Sequence, residues 1–220
     1  MDKHAALAEI EREMEIDAAL PLRPANLVFG EGNEDCAVMF IGEAPGAHED
    51  RLKRPFVGRG GQLLDELIRG LGWRREDVYI TNIVKRRPPE NRDPLPGEIA
   101  AYRPYLARQI DIIGPKLIVT LGRFSMNYFF PEAKMTRDRG KAFLIGGRTV
   151  FPVYHPAAAL RSKEMMRVLK GDFGKIPDVL AGRMAAELPP AAATKAEAPS
   201  GRRTRNQDGK GPAKAGPGFF

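Results

Sequence analysis

A single cysteine, Cys36, stands in 220 residues. One thiol can neither close an internal disulfide nor build a thiolate-ligated metal site, so the chain suits a reducing compartment. Cys36 itself reads as a small buried hydrophobe. Long apolar runs are missing too. The stretch MDKHAALAEIEREMEI at the amino terminus is charged throughout and lacks the apolar core of a signal peptide. No run approaches the roughly 20 apolar residues of a membrane span. A cytoplasmic protein with no membrane partner is expected. Histidine is scarce as well, and of the three, His4 and His48 read as surface residues.

What is plentiful is positive charge. Lysine and arginine outnumber the acids 35 to 28, a net charge of +7. That balance favours a polyanionic partner, nucleic acid first and anionic membrane behind it. The excess is uneven. Residues 183–220 hold seven bases and three acids, so they carry +4 of the total. They are rich in Ala, Pro, Gly, Lys and Arg, with hardly a large apolar side chain before Phe219 and Phe220, and read as a disordered basic tail. Residues 1–182 are expected to form one folded domain.

Within that domain the apolar residues Leu7, Ile10 and Met14 mark an opening helix over about 2–16. Val38-Met39-Phe40-Ile41 is a strand buried on both faces. Leu63, Leu64, Leu67 and Ile68 give a helix over 60–72, and residues 78–84 a second strand. Lys85 to Pro94 is proline-rich and reads as an ordered surface loop. A helix over 96–113, a strand over 117–121, a short helix to Phe130, a strand over 149–154 and a last helix over 163–182, broken near 171–177, complete the series. Strands alternating with helices predict a parallel sheet covered on both faces.

In such a sheet the carboxyl ends of the strands share one rim, where ligands bind. Gly42-Glu43-Ala44-Pro45-Gly46 follows the first strand, Asn82 lies near the end of the second, and His155 follows the fourth. Phe56 is an apolar ring in the loop after the first strand. A carboxylate, an amide, an imidazole and an aromatic face are the fittings of a nucleobase pocket. Asp172-Phe173-Gly174 matches a kinase element, but no glycine-rich loop or catalytic-loop signature accompanies it.

At these residues the chain resembles the uracil-DNA glycosylase superfamily, most closely its family 4, the thermophile-type enzymes. The matching pieces are GEAPG at 42–46, ED at 49–50, PFVG at 55–58, GQLLD at 61–65, YITNIVK at 79–85, RPPENRDP at 87–94, RGK at 139–141 and YHPAAALR at 154–161. The resemblance implies an α/β three-layer sandwich on a central four-stranded parallel sheet. It implies a monofunctional glycosylase that hydrolyses the N-glycosidic bond of a flipped deoxyuridine in base-excision repair, leaving an abasic site. Uracil-containing DNA is then the partner and a monomer is expected. Two rivals are a non-catalytic DNA-binding member and a glycosylase of broader damaged-base specificity.

Carried over residue by residue, Phe56 stacks on uracil, Asn82 bonds its O4 and N3 edge, and the backbone at Gly42 packs against the nucleotide. Glu43 positions or activates water, and His155 donates to O2 as the base leaves as an anion. Phosphate contacts are expected from Arg86, Arg87, Asn91, Arg92 and Arg161. Pro156, Ala159 and Leu160 belong to the segment entering the minor groove, with Leu160 as the wedge. The tail is expected to add non-specific DNA contacts or to bind a repair partner.

Two departures stand out. Family 4 members resemble one another in four cysteines that hold a 4Fe-4S cluster. The corresponding positions here are Asp17, Leu20, Arg86 and Tyr102, so no cluster and no metal are expected, and Tyr102 with arginine contacts is expected to fill the gap. Gly46 lacks the bulky side chain that excludes thymine in the best-known branch, which leaves thymine rejection without a residue.

Overall fold

Every side chain of the segment Val38–Gly42 is buried, because alternate residues enter different cores. Val38 and Phe40 join one apolar cluster, Met39 and Ile41 the other. The computed structural model of the chain describes residues 2–189. In it the same alternation recurs at Leu117 and Val119 against Ile118, the period-two geometry of a strand covered on both sides.

Six strands form one mixed sheet: β1 Glu31–Gly32, β2 Val38–Gly42, β3 Tyr79–Asn82, β4 Leu117–Leu121, β5 Phe143–Ile145 and β6 Arg148–Val153. Their spatial order is β1-β3-β2-β4-β6-β5. The pairs β3 with β2, β2 with β4 and β4 with β6 run parallel, while β1 and β5 add antiparallel edges. The expected sheet of four strands is therefore enlarged to six. The two additions are only two and three residues long, too short for a periodic pattern to mark them. Pro152 is accommodated because β5 pairs only as far as Val150.

The helices are α1 Lys3–Ile16, α2 Ala47–Leu52, α3 Arg59–Gly70, α4 Pro96–Ile113, α5 Arg123–Phe129, α6 Met135–Asp138, α7 Pro156–Ala159, α8 Lys163–Phe173 and α9 Ile176–Leu180. Helices α1, α4 and α5 send Ile10, Met14, Tyr102, Leu106 and Met126 to one face of the sheet. Helices α3, α8 and α9 send Leu64, Ile68, Leu169, Phe173 and Ile176 to the other. Helix, sheet and helix make three layers.

Two expectations shift. The folded part continues past residue 182, since Glu187 exchanges backbone hydrogen bonds with Ala142 and Leu144 at 2.8 and 2.9 Å. The remainder of the expected tail, 190–220, lies outside the described residues. The expected surface loop also begins later than read. Lys85 is fully buried, with Nζ donating to Thr81 Oγ1 and Gln109 Oε1, and burial holds its ammonium well below the usual lysine range.

Candidate active site

Register brings the rim together. Gly42 ends β2 directly opposite Asn82, which ends β3. His155 comes two residues after β6, and a Cβ placed on Gly122, just past β4, would lie 3.0 Å from His155 Cβ. The ring of Phe56 stacks on the imidazole of His155, with centroids 5.6 Å apart and planes at 27°. A Cβ on Gly42 would fall 2.4 Å from both Asn82 Oδ1 and Phe56 Cζ, so only glycine lets the amide and the ring close on that backbone. Asn82 Oδ1 is buried and has no hydrogen-bond partner among the described residues. Such an orphan acceptor is costly unless a ligand satisfies it.

Phe56 takes a left-handed backbone conformation, φ 51°, uncommon for a bulky residue and held by its surroundings. Arg75 donates to the carbonyls of Pro55 at 2.6 Å and Phe56 at 3.3 Å. Glu49 Oε1 accepts from the N–H groups of Val57 at 3.0 Å and Gly58 at 2.7 Å. The aromatic loop is thus clamped on both sides. The sequence gives neither role away. Glu49 was visible only as part of a motif, and Arg75 lies in a 3₁₀ turn far along the chain.

His155 is the N-cap of α7. Its Nδ1 accepts the backbone N–H of Ala157 at 3.2 Å, which assigns the ring proton to Nε2. Burial pushes the imidazole down to about 4, with the Glu49 carboxylate opposing the drop. At neutral pH the ring is an uncharged donor through Nε2. Glu43 shifts the other way. Burial raises its carboxyl to about 7, with repulsion from Asp93 adding and Arg123 opposing. Asp93 and Arg123 form an ion pair of 3.1 Å. The Glu43 and Gly42 carbonyls accept from Val84 and Ile83, both at 3.0 Å, so the turn is anchored to the chain leaving β3. A neutral donor and a carboxyl poised near 7 are the two titration states that acid–base work at neutral pH needs.

The expected DNA contacts fare unevenly. Leu160 and Arg161 are exposed, as the wedge reading requires. Pro156 and Ala159 are buried and form the turn under Leu160 instead of a contact surface. Arg86 is a correction: it is 4 % exposed, and its guanidinium donates to Glu15 Oε2 at 2.8 Å and the Ala25 carbonyl at 2.6 Å. That cation holds α1 and the segment after it. Arg87 donates to Asn91 Oδ1 at 2.8 Å, and Arg92 forms two bonds to Glu98, at 2.6 and 2.9 Å. Glu90 and Asn91 both adopt positive φ, so this loop is stored in a strained shape.

The residues at the four cluster positions do not fit an iron–sulfur group. Leu20 is an apolar core residue, Arg86 is a cation already paired, and Tyr102 is buried with its hydroxyl donating to the Pro21 carbonyl at 2.7 Å. Asp17 accepts from the Tyr105 hydroxyl at 2.6 Å and from Ala19 N at 2.8 Å. Among the described residues no group of three or more His, Cys, Asp or Glu could hold a metal ion.

The profile of the Uracil DNA glycosylase superfamily matches residues 29–173. The chain is 49% identical over 164 residues to a type-4 uracil-DNA glycosylase of Sulfurisphaera tokodaii, covering 70% of this chain and 74% of that one. It is 49% identical over 168 residues to the type-4 enzyme of Saccharolobus solfataricus, covering 72% and 78%. With the type-4 enzyme of Thermotoga maritima it shares 48% over 161 residues, covering 71% and 84%.

Proposed function

The chain belongs to the uracil-DNA glycosylase superfamily, and from that premise we propose that the pocket of Gly42, Phe56, Asn82 and His155 receives a uracil flipped out of DNA. The protein is a uracil-DNA glycosylase, a hydrolase of N-glycosyl bonds that acts in DNA repair. The observation that carries the pocket assignment is the orphan Asn82 Oδ1, an acceptor placed against Gly42 and the Phe56 ring. Uracil N3–H supplies the missing donor, and the amide nitrogen donates to O4. Cytosine offers the reverse pattern at both atoms.

The reaction follows from the charges. As the bond from N1 to C1′ breaks, the sugar becomes cationic and the base anionic. His155, neutral with its proton on Nε2, donates a hydrogen bond to uracil O2 and stabilises that anion while keeping the proton. Glu43, ionised, stabilises the sugar and takes a proton from the water whose oxygen adds to C1′. Uracil leaves and an abasic sugar remains. Glu49 Oε2 lies 2.9 Å from where a Gly46 Cβ would be, so it occupies the space of the missing side chain. We assign the exclusion of the thymine methyl to Glu49.

The fold is read as a three-layer sandwich whose parallel strands β3, β2, β4 and β6 form the central sheet, with β1 and β5 as additions. The protein works without a cluster, as a cytoplasmic monomer, and the segment beyond 189 adds non-specific DNA contacts. No helix among the described residues is long and apolar enough to cross a membrane. A gel assay on oligonucleotides with one deoxyuridine tests the assignment: an alkali-labile abasic product is expected, and tight binding without product refutes it.

A further inference from the structure

Beyond the base pocket, a groove of about 350 Å³ runs between α7 and α8, lined by Ala159, Leu160, Ser162, Lys163, Met166 and Lys170. A second depression joins it to α3 through Arg59 and Leu63, sharing Leu160, Met166 and Lys170. Leu160, Met166 and Leu63 give an apolar floor. Arg59, Lys163 and Lys170 are exposed and have no ion-pair partner among the described residues, whereas Arg167 beside them is bound to Glu164 at 2.6 Å. Glu66 lines the second depression together with Arg59 and Lys170.

Lys163 is poorly explained by the fold. It is the first residue of α8, where the positive end of the helix dipole disfavours a cation. Lys170, in the last turn, suits the dipole and has a structural explanation of its own. The position of the groove matters more. His155 caps the start of α7 and Leu160 caps its end, so base pocket and groove are joined by one helical turn. Five residues at about 1.5 Å each set the groove about 7.5 Å from the imidazole end of α7.

We propose that this groove is a second DNA-binding track, which takes the backbone of the uracil-bearing strand immediately beyond the Leu160 wedge. It rests on the glycosylase reading above. Phosphates meet Arg59, Lys163 and Lys170, and the sugar edges lie on Met166. The track belongs to the strand whose nucleotide enters the base pocket, so it acts on single-stranded and duplex DNA alike.

The test is the salt dependence of binding to a single-stranded oligonucleotide and to its duplex, both without uracil, by fluorescence anisotropy. The variant is Lys163→Gln with Lys170→Gln, two exposed positions. Losing two phosphate contacts is expected to flatten the slope of log Kd against log salt by about 1.4 for the single strand and about 1.8 for the duplex. Between 50 and 200 mM salt the single-strand affinity then varies about sevenfold less than in the wild type. Lys116→Gln, at the opposite end of β4, is the control and keeps the wild-type slope. An unchanged slope overturns the proposal, and so does a change confined to the duplex, which would place the complementary strand there. Failure of the glycosylase reading is separate, since wild-type protein would then release no uracil.

Discussion

Glu49 Oε1 accepts the backbone N–H of Gly58 at 2.7 Å, and through it a short helix on one side of the pocket fixes the loop that carries Phe56. The same carboxylate bonds Val57 and fills the space over Gly46. Glu49→Ala is expected to lower kcat/KM for uracil about 30- to 150-fold, the loss of roughly 2–3 kcal/mol from hydrogen bonds to a charged group. Glu49→Gln keeps Oε1 and restores most of it. The ratio of thymine to uracil release should rise in the alanine variant. An unchanged ratio would leave Glu49 a purely structural clamp.

As the proposed base, Glu43 is expected to set the pH profile. Its carboxyl titrates near 7 in the folded protein, above the ordinary 4.5, while His155 is neutral above about 4. Single-turnover rates should therefore climb through pH 7 and level above it. For stability the sign is opposite. The folded state holds the Glu43 proton more tightly than the unfolded chain, so this group's contribution is fully present below 4.5 and is lost as pH rises through about 7. Glu43→Gln should abolish the rate limb yet raise Tm at pH 8 by about 2–4 °C, the effect of roughly 1 kcal/mol on a domain of this size. At pH 5 calorimetry should find no gain.

Replacing His155 by alanine removes the proposed donor to uracil O2. Base release in single-turnover assays should slow by about 10²–10³, the usual loss for one such donor. A near-wild-type rate would take the imidazole out of the reaction.

Asn82→Asp exchanges the amide nitrogen for an oxygen and reverses what the side chain offers at O4. Activity on uracil should drop, and cytosine release should become measurable in long incubations. Discrimination equal to the wild type would mean that the base is read elsewhere.

Arg86 is the cation that stands at a cluster position. Arg86→Met leaves the Ala25 carbonyl without its donor and Glu15 without its partner, and should cost about 2–3 kcal/mol of stability in urea unfolding. Hydrogen exchange should quicken over residues 17–27. Purified wild-type protein should contain no stoichiometric iron, and elemental analysis checks it.

Much of this was legible from the residue order because the strands are apolar runs between turns. Val38 to Ile41 and Leu117 to Leu121 cannot be solvated on either face, so a covered sheet follows. Gly42, Asn82 and His155 could be placed on one rim for the same reason, each being at or just past a strand end. The burial of Lys85 and Arg86 leaves no mark in the sequence, where a basic run usually faces water. Burial was decided by Thr81, Gln109, Glu15 and the Ala25 carbonyl, which are distant in sequence.

Residue order alone dictates the strands, the rim and the chemical kinds of group on it, since hydrophobic periodicity and turn residues are local properties. Tertiary structure alone decided how those groups are tuned. The ring proton of His155, the raised carboxyl of Glu43 and the left-handed Phe56 clamped by Glu49 and Arg75 depend on desolvation and on partners brought from other elements. Those are relations of distance in space, which no spacing along the chain encodes.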